Sequence, residues 1–138
     1  MKTTEIVYGW ALGKDCERLA KLSRAGEIPV SQEDWEKYLR SKDGIVRVAA
    51  VDGRIVGYCA TKVNDKGTEI TSICVSSLHR RQGIATQLVR QIKRSRGPVV
   101  VTVPEISSDL IGLFVREGFR SSLVRNWSKH YDGIRFID

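Results

Sequence analysis

The spacing of apolar positions changes period repeatedly along this 138-residue chain. Residues 5–10 alternate loosely and predict a strand. Residues 13–24 predict a helix, with Cys16, Leu19, Ala20 and Ser23 on one face. Ile28-Pro29-Val30 breaks that pattern. Ser31 and Asp34 then form a helix-start signal: the serine oxygen accepts from a free backbone N–H, and the carboxylate suits the positive helix end. Trp35, Tyr38 and Leu39 follow at i, i+3 and i+4 and mark a core face. Residues 45–51 and 55–63 predict strands joined by Asp52-Gly53, a dipeptide that tolerates the positive φ of a tight hairpin. A second turn at 64–67 leads into a strand over 69–76. Ile84, Ala85, Leu88 and Ile92 form the stripe of a third helix, ended by Gly97-Pro98. Residues 99–103 are apolar but for one threonine, as in a strand buried on both faces. Residues 107–117 predict a fourth helix, with Leu110, Leu113 and Phe114 inward and Gly118 at its end. Residues 119–127 and 134–137 predict closing strands.

This order defines an α/β (α+β) domain over residues 1–138. Three consecutive strands joined by short turns form an antiparallel meander. The strand–helix–strand step from 69 to 103 needs a crossover, so those two strands are expected to be parallel. Composition changes little in this picture: 41% hydrophobic and 28% charged residues are ordinary for a globular chain. No apolar run approaches the roughly 20 residues of a membrane span, and the N-terminus lacks a signal-peptide pattern. A cytoplasmic protein without membrane attachment is the expectation. The three cysteines, Cys16, Cys59 and Cys74, are odd in number and far apart. They point to small buried hydrophobes rather than a disulfide frame or a zinc site. The charge is more informative: residues 76–130 hold ten Lys or Arg against three Asp or Glu, which is the whole of the +7 net charge.

The chemistry concentrates in Ile73-Cys74-Val75-Ser76-Ser77-Leu78-His79-Arg80-Arg81-Gln82-Gly83-Ile84-Ala85, where a strand passes through a basic loop into a helix. The first N–H groups of a helix lack intrahelical partners, and the helix dipole adds positive charge there. Gly83 lets an anion approach the backbone without a Cβ in the way. Arg80 and Arg81 add full charges. The segment is built to hold phosphate.

Arg80-x-x-Gly83-x-Ala85 resembles the Gln/Arg-x-x-Gly-x-Gly/Ala signature of the GNAT acetyltransferase superfamily, and the element order matches over nearly the whole chain. The strand at 99–103, the helix at 107–117 and Gly118-Phe119 resemble that family's following block. The resemblance implies a GNAT fold: a mixed, mostly antiparallel twisted sheet of about seven strands, flanked by about four helices, with strands parting in a V. It implies that acetyl-coenzyme A binds as co-substrate without a metal. Backbone groups of the Ile73-Cys74-Val75 stretch would bond the pantetheine arm, and the loop from Arg80 to Thr86, through Arg81, Gln82, Gly83, Ile84 and Ala85, would hold the pyrophosphate. Ser107 stands where many relatives have Asn, and Phe114 where a Tyr that protonates the departing thiolate is often found. Glu69 matches in register a glutamate base of the histone-acetyltransferase branch. Asn126 and Trp127 resemble part of the Asn-Tyr-Tyr connection of ribosomal-protein N-terminal alanine acetyltransferases, a weaker likeness because Ser128 replaces the second Tyr.

These implications define an N-acetyltransferase that passes acetyl to a primary amine by direct attack. The acceptor stays open among a protein N-terminus, a lysine and a small molecule. The base is Glu69, Glu105 or water; His79 and His130 are rivals better read as loop residues. Tyr131 is the candidate acid in place of Phe114. A non-catalytic coenzyme A-binding module is the alternative that Phe114 motivates. A nucleic-acid or ribosome-binding protein is the one the charge motivates, but the chain carries no helix-turn-helix signal, zinc spacing or aromatic-studded basic stretch. A monomer and a homodimer both fit.

Overall fold

The computed structural model describes residues 5–24, 29–65, 67–96, 98–104, 107–125 and 132–138. Its elements run β1 (Ile6–Trp10), α1 (Cys16–Ser23), α2 (Gln32–Arg40), β2 (Gly44–Val51), β3 (Arg54–Asn64), β4 (Gly67–Val75), α3 (Ile84–Arg96), β5 (Val99–Pro104), α4 (Ser108–Arg116), β6 (Arg120–Val124) and β7 (Gly133–Ile137). Local chemistry explains several boundaries. The Asp34 N–H donates to Ser31 Oγ at 3.1 Å and starts α2 as the sequence predicts. Asp52 and Gly53 take φ of 51° and 79°, turning β2 into β3. The first helix is shorter than its apolar pattern. Residues Gly13–Asp15 form a 3-10 turn, and the Leu12 N–H donates to the Asp15 carboxylate at 2.8 Å, so α1 begins only at Cys16.

All seven strands join one sheet in the order β1-β2-β3-β4-β5-β7-β6. Every neighbouring pair is antiparallel except β4 and β5, which are parallel as the crossover requires. The sheet separates two cores. Adjacent residues of a strand point to opposite faces, and β3 alternates on either side of a bulge at Val56: Val56 and Cys59 join α3 and α4 residues on one face, while Ile55, Tyr58 and Ala60 join α1 and α2 on the other. The first core holds Ile84, Leu88, Val89 and Ile92 of α3 with Leu113 and Phe114 of α4. The second is centred on Leu19 and Trp35. This is the mixed sheet, mostly antiparallel and with helices on both faces, that the motif implied. Among the described residues no helix is long and apolar enough to cross a membrane.

Candidate active site

The parallel pair is short. β4 and β5 align only at Thr68–Val99, Glu69–Val100 and Ile70–Val101. Beyond Ile70, β5 turns its remaining residues to β7 alone, from Thr102–Arg135 to Pro104–Gly133. Among the described residues, 71–75 of β4 therefore have β3 on one side and no strand on the other. Backbone N–H and C=O groups along that free edge are obligatory hydrogen-bonding groups that an extended ligand can satisfy. Ile73, Cys74 and Val75 lie on it. Ile73 and Val75 pack toward the α3 core, whereas Cys74 points to the α1 side, where its thiol donates to the Leu22 carbonyl at 3.5 Å.

β4 ends at the basic loop. Ser77–His79 make a single 3-10 turn, and α3 starts at Ile84. Between them Arg81 takes φ of 64° and Gly83 φ of 78°, alternate left-handed positions of the kind that turn successive N–H groups toward one point. The conformation at Arg81 is costly for a side-chain-bearing residue and typical of a functional loop. A Cβ built on Gly83 would meet nothing within 4 Å, so the glycine answers to its φ and leaves open space outside the loop. The Gly83 carbonyl accepts from the Gln87 N–H at 3.0 Å, which places Gly83 at the cap of α3. Ile84 is buried in the α3 core, and only its main chain faces the loop. Ala85 and Thr86 are half-buried, and Gln82 is exposed. Arg80 is exposed and folds back, its Nε donating to the Val75 carbonyl at 3.3 Å. The residues present thus fit a phosphate group on geometry: alternating left-handed φ, a free helix N-terminus, open space and two arginines.

Glu69 stands at the other end of the free edge, one residue before the last β4–β5 pair and directly opposite Lys62 of β3. Its side chain is exposed. Because Ile70 belongs to the α3 core, Glu69 projects from the opposite face, on the side of α2. The phenol of Tyr38 on α2 feels its charge, and Lys62 Nζ lies 5.5 Å from the Tyr38 ring centroid. His79, a rival base, belongs to the 3-10 turn at the far end of the edge. Glu105, His130 and Tyr131, like Asn126 and Trp127, lie outside the described residues.

The two α4 positions have different settings. Ser107 caps α4, is buried, and its carbonyl accepts from the Ile111 N–H at 3.0 Å. Phe114 is fully buried, with ring centroids 5.2 Å from Phe119 and 5.5 Å from Phe136. It fills the core behind β5 and β7 and has no proton to give.

Several features were not legible beforehand. Tyr38 reads in sequence as core, yet it is half-buried and its hydroxyl meets Thr71 Oγ1 at 2.9 Å. Thr71 sits in a β-bulge: Ala60 pairs with Ser72 and Thr61 with Ile70, so Thr71 has no opposite residue. Nothing in the local sequence marks that bulge. The cysteines are all buried, and burial raises each thiol pKa, that of Cys59 to about 12. They are small side chains packed in the two cores, as the sequence predicts. No group of three or more His, Cys, Asp or Glu able to hold a metal occurs among the described residues. A surface recess of about 310 Å³ at Trp10, Ala11, Leu39 and Gly44–Val46 lies on other strands and offers no titratable side chain.

Comparisons with known proteins agree with this geometry. A family model described as "Acetyltransferase (GNAT) family" matches residues 10–96. No curated protein matches the sequence. Among solved structures, NAA60 of Arabidopsis thaliana in complex with acetyl-CoA superposes with a TM-score of 0.85 at 20% identity, covering 97% of this chain and 98% of the other. A GNAT-family acetyltransferase from Bacillus cereus gives 0.83 at 17% identity, covering 97% and 96%. The ribosomal-protein-S18-alanine N-acetyltransferase of Escherichia coli gives 0.81 at 15%, covering 96% and 91%. At such identities the likeness concerns the fold. The family match, over more than half of the chain and across β4 and the phosphate loop, carries the assignment: the chain belongs to the acetyltransferase (GNAT) family.

Proposed function

We propose that this protein is an acetyl-coenzyme A-dependent N-acetyltransferase that passes the acetyl group directly to a primary amine. The observation that carries the reading is the free edge of β4, which runs from the parting of β4 and β5 to a left-handed, arginine-flanked loop at the start of α3. In this reading the main chain of Ile73 through Val75 binds the pantetheine arm in strand fashion, and the N–H groups of Arg81 to Ala85 hold the pyrophosphate. The two ends suit one extended ligand, because the six steps from Glu69 to Val75 span roughly 20 Å. Family membership and neighbours solved with acetyl-CoA support the same co-substrate.

Glu69 is the proposed base. A lysine-like amine of pKa about 10.4 is almost wholly protonated at neutral pH, so a carboxylate that accepts its proton, directly or through water, raises the attacking fraction. The departing thiol of coenzyme A needs less help. With a pKa near 8.5, if it resembles a cysteine, it leaves as thiolate, so Phe114 is compatible with turnover. A structural neighbour that is a ribosomal-protein-S18-alanine N-acetyltransferase supports including protein acceptors among the candidates. The test is thiol release from acetyl-coenzyme A across a panel of peptides, lysine derivatives and polyamines. Amine-dependent release is the expected result. Coenzyme A binding without release for any amine would identify a binding module instead.

A further inference from the structure

Two tyrosines grip β4 at the point where it leaves β5. Thr71 and Ser72 are the first residues beyond the last β4–β5 pair, and they are also the residues of the bulge. A bulge breaks the alternation of side chains, so two successive residues can face the same side of the sheet. Here both hydroxyls turn toward α2. Thr71 Oγ1 meets the Tyr38 hydroxyl at 2.9 Å, and Ser72 Oγ meets the Tyr58 hydroxyl at 3.0 Å. Thr71 Oγ1 also reaches the Ala60 carbonyl, at 3.3 Å. The two phenols come from different elements, α2 and β3, and one side chain unites them. Trp35 is 1% exposed and stands edge-on to both rings, with centroids 5.9 Å from Tyr38 and 5.0 Å from Tyr58.

The arrangement costs something to build, which argues against incidental packing. Burial lifts the pKa of both phenols to about 12, and Tyr58, 1% exposed, carries a polar atom that must be partnered. Phenylalanine would fill the same space without that demand. Tyr38 is also seated closely: a Cβ on Gly44 would lie 2.5 Å from the Tyr38 carbonyl oxygen and 2.9 Å from its ring. The hydroxyls belong to Thr71, which has neither a regular β3 partner nor β5 beside it, and to its neighbour Ser72, paired with Ala60. A strand is least defined there, and its main-chain groups face the gap between the strands.

We propose that Trp35, Tyr38 and Tyr58 form a clamp that fixes the Thr71–Ser72 bulge, making both tyrosines positioning residues for acetyl transfer. The clamp acts through the main chain of the bulge, which sets where the thioester carbonyl lies relative to the acceptor and Glu69. This inference rests on the acetyltransferase reading above. It adds a requirement on α2 and β3, elements outside the phosphate loop.

The test compares Tyr38→Phe, Thr71→Val and Thr71→Ser with the parent, using the acceptor that gives thiol release. Tyr38→Phe and Thr71→Val should each lower kcat by about 10–100-fold, the scale of a small misplacement of reacting groups. Their coenzyme A affinity and KM for acetyl-coenzyme A should match the parent. Thr71→Ser keeps the hydroxyl and should recover most of the loss. The double variant Tyr38→Phe/Thr71→Val should be no slower than Thr71→Val alone, because Tyr38→Phe then removes only a bond already lost. A purely structural bond would lower the melting temperature of both singles while leaving kcat intact, and that result overturns the clamp. A parent that binds coenzyme A without releasing thiol for any amine overturns the acetyltransferase reading, and the clamp with it. An active parent matched in kcat by Tyr38→Phe overturns the clamp alone.

Discussion

Glu69 and Gly83 mark the two ends of one strand edge, and single substitutions separate their roles. Glu69 is exposed, opposite Lys62, and turned toward α2. Replacing its carboxylate with an amide removes a proton acceptor and little else. Glu69→Gln should therefore lower turnover by roughly 10²–10⁴ if it is the principal base. The loss should shrink as pH approaches the acceptor's own pKa, because free amine then forms unaided. A pH–rate profile superimposable on the parent's would remove Glu69 from the mechanism. Gly83 answers to a different constraint. Its φ of 78° disfavours any side chain, and the open space beside it is where phosphate would sit. Gly83→Asp adds both strain and negative charge at that spot. Titration calorimetry should show coenzyme A binding lost, and parental affinity in the variant would place the cofactor elsewhere.

Between elements, the helices that carry the site are tied together by charge. Arg90 of α3 makes a two-pronged contact with Glu117 just beyond α4, Nε to Oε1 at 2.7 Å and Nη2 to Oε2 at 3.2 Å. Lys93 donates to the Glu117 carbonyl at 2.9 Å and pairs with Asp138 at 3.2 Å. These contacts change how the basic segment is read. Part of its charge is committed to joining α3, α4 and the C-terminal strand, whereas Arg80 and Arg81 stand at the loop. The hydrogen bond from Arg90 holds the Glu117 carboxyl below its usual range. A carboxylate with a depressed folded-state pKa stabilises the fold above its unfolded value, about 4.3, and that contribution is lost as pH falls through the folded value. Glu117→Gln should thus melt a few degrees below the parent at neutral pH. The difference should shrink only as pH falls below the unfolded value and through the depressed folded-state value, where the parent's own carboxyl becomes protonated. A gap that persists unchanged into acid would mean that packing, not charge, holds this contact.

For the whole molecule, the sheet acts as a partition. The α3 and α4 face supplies the phosphate loop, the α1 and α2 face carries Glu69, Thr71 and Tyr38, and the parting of β4 and β5 is the passage between them. A ligand seated in that passage bonds backbone on an edge that water otherwise satisfies, and it binds only the folded chain. Coenzyme A at about 100 times its dissociation constant should therefore add ~2.7 kcal/mol to folding stability. Scanning calorimetry should show a melting temperature that climbs with coenzyme A concentration. A midpoint indifferent to coenzyme A would contradict binding in the passage.

What the sequence determined by itself was whatever depends on near neighbours along the chain. The Asp52-Gly53 turn, the Ser31 cap, the helical stripes of α2 and α3, and the strand–loop–Gly83–helix cradle follow from residue chemistry over a few positions, and each is found in the structure. The resemblance of the motif and of the element order to the GNAT family also implied the mixed sheet, which the strand order bears out. Tertiary structure decided what depends on partners distant in sequence. Thr71 and Ser72 face the same side, one on Tyr38 and the other on Tyr58, only because β3 and β4 slip by one residue between Ala60 and Thr61, and such a slip arises from strand pairing rather than from any local signal. The apolar spacing of Trp35, Tyr38 and Leu39 reports that they face inward, but not that a phenol would end on a strand hydroxyl 33 residues away. Phe114 was legible as an inward residue of α4, yet its ring packing against Phe119 and Phe136 required the return of β7 to β5. The β4–β5 pairing lasts three residues before the strands part, and beyond it β5 is paired with β7, a strand further along the chain past α4 and β6, so no single segment encodes that length.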